Sequence, residues 1–440
     1  QNFQLMKTIL KLFSVVLFIA FFSNINAQDI QYSRSNNQNG LNVFEPTKAD
    51  SNVYIGNKVA IGGNFSQAYQ MLKHENNNPD NSDTKALYPL GNGFNLASAN
   101  LNLNVSLGDG VRVYLENYMA SRHHNEFWVK GGYIQFDKLP MFDNPDWFTK
   151  YVRVKIGHME VDYGDSHFRR SDGGNAFFNP FIENNIMDEF ATEIGGEVYI
   201  FPSNKLMFMF GLTNGLIKHD EKDYSDATEP TEGFAVNGKN PSILLKAAYD
   251  DQIDENLRFR LSASMYTNSK TPRNTIFGGD RTGSNYFLVM EAPTANSTDN
   301  AFSGRFNPGF SNQITTFAIN PFVKYRGLEF FGTFESASGR TNTEADKRKA
   351  TQLAGDLVYR FLENEQLYVG LKYNTVKARL KGYTTDVTVN RVAFAAGWYP
   401  TKNLLLKGEY VNQTYDGYDS SSRLDGGKFN GLVIQAVVGF

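Results

Sequence analysis

The densest chemistry in this chain lies between positions 160 and 190, where Glu160, Asp162, Asp165, His167, Arg169, Arg170, Asp172, Glu183, Asp188 and Glu189 crowd together. Asp165-Ser166-His167 has the residue types of a hydrolase triad, with His167 or the nearby His158 as its base. Neighbours in sequence do not by themselves place nucleophile, base and orienting carboxylate in line. His123-His124 is a second titratable pair, but successive side chains of an extended segment diverge, so a shared metal is not expected. Asp172-Gly173-Gly174-Asn175 lacks the ligand spacing of a full calcium loop, and Gly278-Gly279-Asp280 opens no helix that would cradle a phosphate. The reading therefore assigns no catalytic residue, no metal and no cofactor. What is left is the chemistry of fixed charges, which attract, pair with or repel ions.

Those charges sit among segments of about ten residues whose hydrophobicity alternates with period two, the pattern of a strand with one apolar face. Leu101, Leu103, Val105 and Leu107 alternate with Asn100, Asn102, Asn104 and Ser106; Gly108-Asp109-Gly110 turns the chain; Val111, Val113 and Leu115 resume the apolar face. Sixteen strands are expected, within a range of fourteen to eighteen. The first eight are 58–70, 94–107, 111–119, 126–136, 150–159, 191–201, 205–213 and 242–250. The rest are 257–266, 314–326, 327–337, 350–362, 367–376, 386–399, 404–413 and 429–440. Connections alternate short and long, except 137–149, which is long where a short one is due. The expected fold is all-β: a transmembrane antiparallel β-barrel with short periplasmic turns and long extracellular loops.

Both ends of the chain agree with that reading. Lys7 and Lys11 precede an apolar run over 12–22 and small residues up to Ala27, the anatomy of a secretory signal peptide, so 1–27 is read as upstream residues plus leader. Positions 28–52 are polar and Asn-rich and are expected to be a periplasmic lead-in, leaving 53–440 for the barrel. Leu432, Ile434, Ala436, Val438 and Phe440 alternate to the last residue, as a lipid-facing strand requires. A mean hydropathy of −0.42 fits strands that show lipid only every second residue. Aromatics make up 14% of the chain and gather near strand ends, suiting two interfacial belts. There is no cysteine, and a net charge of −3 carries no nucleic-acid signal.

With the outward face fixed by hydrophobicity, the inward set follows by parity. It includes Arg112, Arg153, Lys155, Lys246, Arg258, Arg260, Arg360 and Arg391 as candidate pore-lining bases, against fewer acids. The strand at 152–157 (VRVKIG), the long loop after it and the terminal Phe440 resemble the sixteen-stranded bacterial outer-membrane porins, and more distantly the phosphate-selective and related porins of Bacteroidetes. That resemblance implies that the third outer loop folds inward, with Asp162, Asp165, Arg169, Arg170 and Asp172 lining a constriction. It implies a passive channel for ions and small hydrophilic solutes, to which the excess of inward base adds a mild anion preference. It further implies a homotrimer in the outer membrane, in contact with lipid and lipopolysaccharide. A plugged, non-conducting barrel and a barrel enzyme are the alternatives.

Overall fold

The computed structural model describes residues 30–49, 52–78, 82–120, 127–171, 175–215, 239–280 and 282–440. The expected leader, His123-His124 and Asp172 lie outside the described residues. The chain begins with β1 (Lys58–Glu75), the two-residue β2 (Gly93–Phe94), β3 (Ser98–Gly108), β4 (Val111–Ala120), β5 (Phe127–Phe136) and β6 (Val152–Glu160). Next come β7 (Thr192–Ser203), β8 (Leu206–Thr213), β9 (Ser242–Gln252), β10 (Leu257–Asn268), β11 (Gln313–Tyr325) and β12 (Leu328–Arg340). Last are β13 (Arg348–Phe361), β14 (Leu367–Ala378), β15 (Val387–Thr401), β16 (Leu404–Asp416) and β17 (Lys428–Gly439).

Every pairing is antiparallel, β1 pairs with β3 and each later strand with the next, and the ring closes where β1 meets β17, from Asn64 opposite Gly439 to Glu75 opposite Lys428. Because β2 only pairs with β1 beside Tyr69 and Gln70, sixteen strands span the wall. All sixteen expected strands are present. Closure leaves no open edge, so every backbone donor and acceptor within the wall can be satisfied inside a bilayer.

Side-chain exposure is inverted relative to a soluble sheet. On β13, outward Leu353 is 53% exposed while inward Gln352 beside it is 1% exposed. An apolar outer face on a closed barrel of this size is an outer-membrane architecture, and its strand parity follows directly from the period-two pattern.

Short turns close one end of the barrel. Gly110 shows why glycine is needed there: its φ is +72°, and a β-carbon would lie 2.5 Å from Lys138 Cγ. The anomalous connection 137–149 is a built excursion at this same end, with a 3₁₀ turn (Pro140–Phe142) followed by a helix (Asp146–Tyr151) that runs straight into β6.

The polar lead-in is folded rather than extended. Gly110 N–H donates to Gln31 Oε1, Gln38 N–H to the Lys402 carbonyl and Lys48 Nζ to the Asp137 carbonyl, so segment 30–49 lies across the mouth formed by the short turns. Of its apolar side chains, Ile30, Tyr32 and Phe44 are buried and Leu41 and Val43 half-buried. A coil packed this way has no periodicity from which its burial could be read.

Candidate functional site

The loop after β6, residues 161–191, enters the barrel with little secondary structure beyond one 3₁₀ turn (Ser166–Phe168). A buried coil must find partners for its backbone elsewhere, and here the inward side chains of the wall supply them. Gly164 N–H donates to Ser264 Oγ at 2.8 Å and Asp165 N–H to Asn320 Oδ1 at 3.0 Å. Further along, Ile182, Ile186 and Met187 amides donate to Glu409, Asn374 and Gln352. Lys407 Nζ gathers the carbonyls of Ala176, Asn179 and Phe181 at 2.9, 2.8 and 2.7 Å. Tyr163 Oη donates to Glu335 Oε1 at 2.8 Å. The following long loop packs on the first: Phe306 N–H donates to the Ile186 carbonyl, Phe190 N–H to the Ile276 carbonyl, and Arg305 pairs with Glu183 at 2.9 Å.

At the centre is an ionic cluster drawn from wall, loop and N-terminal segment. Lys246 Nζ lies 2.6 Å from Glu45, 2.6 Å from Asp162 and 3.0 Å from Asp165. Arg260 meets Asp165 at 2.8 Å and Glu45 at 2.6 Å. Burial opposes ionisation of Asp162 and Asp165, but Lys246 beside the first and Arg260 with Lys246 beside the second hold both carboxyls below the usual carboxylate range. A second cluster forms around Glu329, which meets Arg360 at 2.7 Å, Arg169 at 3.5 Å and the Asn42 side-chain amide at 2.6 Å.

All eight bases named from the sequence project inward, yet most are already paired. Arg153 is bound to Asp137 at 2.9 Å and to the Pro46 carbonyl, and Arg391 to Gln413 and the Asn184 carbonyl. Arg112 reaches Gln135 at 2.8 Å and Tyr133 at 3.1 Å. Lys155 donates to Tyr199 Oη at 3.1 Å, and Arg258 pairs with Asp250 at 2.7 Å; these two keep part of their surface open. Of the loop charges, Asp162 and Asp165 come together on Lys246, Arg169 joins the Glu329 cluster, and Arg170 pairs separately with Asp188 at 2.8 Å. Glu45 and Asn42 were missed because nothing in an aperiodic polar stretch marks a residue that reaches the lumen.

The triad-like run does not assemble. Asp165 is engaged by Arg260 and Lys246, Ser166 Oγ lies 3.3 Å from Thr333 Oγ1, and His167 Nε2 lies 3.0 Å from Asp162 Oδ1.

Burial in the loop also creates a pH dependence. Desolvation pushes the Glu189 carboxyl up to about 7 from its ordinary 4.5, with Asp188 beside it adding to the rise. Between those two values the folded loop keeps a proton that the unfolded chain has released, so stability falls as pH rises through this window and is level above it. Glu189→Gln is expected to flatten that slope in thermal midpoints taken across the window; an unchanged slope would place its origin elsewhere.

Apart from Arg258 and Lys324 towards the turn end, the loops bury most of the inner face of β7–β17. They leave Asn104, Tyr114, Glu116, Tyr133 and Lys155 of β3–β6 only half-buried, with the rings of Tyr114 and Tyr133 5.4 Å apart. At the turn end, a cavity of about 600 Å³ opens beneath segment 30–49, lined by Gln38, Asn39, Asn42, Arg258, Lys324 and Arg326 among others.

No family model matches the chain. No curated protein matches it either. Among solved structures, it is similar to an anion-selective porin from Comamonas acidovorans, with a TM-score of 0.53 at 11% identity, over 87% of this chain and 100% of that one. OmpT, an outer membrane protein of Vibrio cholerae, is similar with a TM-score of 0.50 at 10% identity, over 88% of this chain and 99% of that one. The outer membrane channel DcaP of Acinetobacter baumannii is similar with a TM-score of 0.50 at 11% identity, over 88% and 99%. At these identities the likeness is one of fold.

Proposed function

We propose that the barrel is a passive porin, admitting ions and small hydrophilic solutes along the inner face of β3–β6. One observation carries this reading: the infolded loops bury most inward side chains of β7–β17 and leave Asn104, Tyr114, Glu116, Tyr133 and Lys155 half-buried on the β3–β6 face. The anion-selective porin and the DcaP channel share the fold. A mild anion preference belongs to the proposal, because Lys155 keeps an open side on that face while Glu116 is paired with Lys130, whereas Lys246, Arg260 and Arg360 are neutralised by carboxylates. So do a homotrimer, contacts with lipid and lipopolysaccharide, and kinship with the Bacteroidetes porins on the 152–157 stretch and its loop. The chain is read as a channel and not as an enzyme.

The second reading is a non-conducting barrel, favoured by segment 30–49 lying across the mouth at the turn end. Planar-bilayer recording separates the two. Stepwise conductance is expected, with a reversal potential in a salt gradient of the sign set by anions. Silence across repeated reconstitutions would reject the porin, and a cation-selective sign would reject the anion preference alone.

A further inference from the structure

The excursion between β5 and β6 exposes more apolar surface than a turn into water should. Phe142 is 68% exposed and Trp147 is 62% exposed, with Met141 and Tyr151 also open. These side chains are held in place rather than trailing. Asp143 and Asn144 take left-handed backbone at φ +56° and +50°, which residues of their type tolerate, and Asn144 N–H closes onto the Leu139 carbonyl at 3.1 Å.

The short helix has three distinct faces. Phe148 is buried against the barrel, with Lys48 Nζ 6.0 Å from its ring. Asp146 and Lys150 form an exposed pair at 3.4 Å on a second face. Trp147 and Tyr151, one turn apart, share the third. Charge to water, one ring to protein and a Trp/Tyr edge between them is the layout of a segment lying in a membrane interface. The helix also continues without a break into β6, whose outward Ile156 is exposed on the lipid-facing surface.

We propose that residues 139–151 form an interfacial foot that binds phospholipid, seated at the headgroup–acyl boundary of the periplasmic leaflet. Its occupant is lipid because the exposed Trp147 and Tyr151 stand just before the start of β6, whose outward Ile156 faces the lipid side. The foot anchors the turn end of β5–β6, the strands bordering the open side of the lumen.

The test uses the chain's own chromophores. It has three tryptophans, so Trp128→Phe with Trp398→Phe leaves Trp147 as the sole reporter. The variant is reconstituted as the full barrel into phosphatidylcholine vesicles, with folding checked by heat-modifiable gel migration. Trp147 emission is expected to be blue-shifted, quenched by acyl-chain bromines near the headgroup and shielded from aqueous acrylamide. Water-like emission open to acrylamide would overturn the proposal. Shielding from bromine and acrylamide alike would also overturn it, because a second protein copy would then cover the foot.

Discussion

Deleting residues 30–49 is expected to raise single-channel conductance several-fold. The segment closes the turn end of the barrel through a small number of specific contacts: Glu45 on Lys246 and Arg260, Asn42 on Glu329, Lys48 on Asp137, and Phe44 among Phe322, Phe331 and Phe168. Its removal leaves the inner wall electrostatically matched, since Asp162 and Asp165 still serve Lys246 and Arg260. The barrel itself should therefore survive. A milder pair, Phe44→Ala with Glu45→Gln, removes the ring and the acid that hold the segment, where loss of a buried Phe alone costs about 3–5 kcal/mol.

The chain has no cysteine, which allows a clean control. Gln38→Cys with Lys402→Cys places two thiols on residues joined backbone to backbone at 2.9 Å. Added to the Phe44/Glu45 variant, this bridge should hold conductance at the wild-type level when oxidised and release it on reduction. If the deletion variant, folded by gel migration, conducts like the wild type, the segment does not gate the pore.

The second large effect is expected at Glu329, a fully buried carboxylate on β12. It is shared by Arg360 from the wall, Arg169 from the loop and Asn42 from the N-terminal segment. Glu329→Gln leaves two buried guanidinium groups facing a neutral amide. Breaking a buried pair from one side costs about 3–5 kcal/mol, chiefly because the surviving charge is stranded. The unfolding midpoint in urea, measured in detergent micelles, should drop accordingly. Adding Arg360→Met should recover part of the loss, since the stranded charge goes with it, and that recovery measures the coupling between the two residues. Lys324, 3.7 Å away, is a third cation left without this partner, so a midpoint unmoved by Glu329→Gln would show that the carboxylate adds nothing net to stability. Because Asn42 loses a charged acceptor, the same variant should also show noisier conductance.

The strands were legible because the cause of each is local. Period-two hydrophobicity decides which face of β10 or β15 meets lipid, and the same parity turns Arg260 and Arg391 inward. The anomalous length of 137–149 was legible as an exception, though not as a helix with a Trp/Tyr edge. Much less could be read of the interior. The stretch 28–52 reads as a polar lead-in because its apolar residues carry no clean alternation. Loop 161–191 could be named as an infolding loop only by resemblance, since its backbone partners lie on strands far along the chain: Gly164 on Ser264, Ile182 on Glu409, Met187 on Gln352.

The sequence by itself determined the barrel, its inside and its outside, because each strand carries its own instruction in adjacent residues. Which inward charges stay available to a passing solute was decided only by the tertiary structure. Lys246 and Lys155 look alike as inward bases on a strand, but Lys246 is surrounded by Glu45, Asp162 and Asp165 while Lys155 keeps an open side. An ion pair depends on a few ångströms across the lumen between residues as distant in sequence as Glu45 and Arg260, 215 positions apart, and strand parity has no means of specifying that distance.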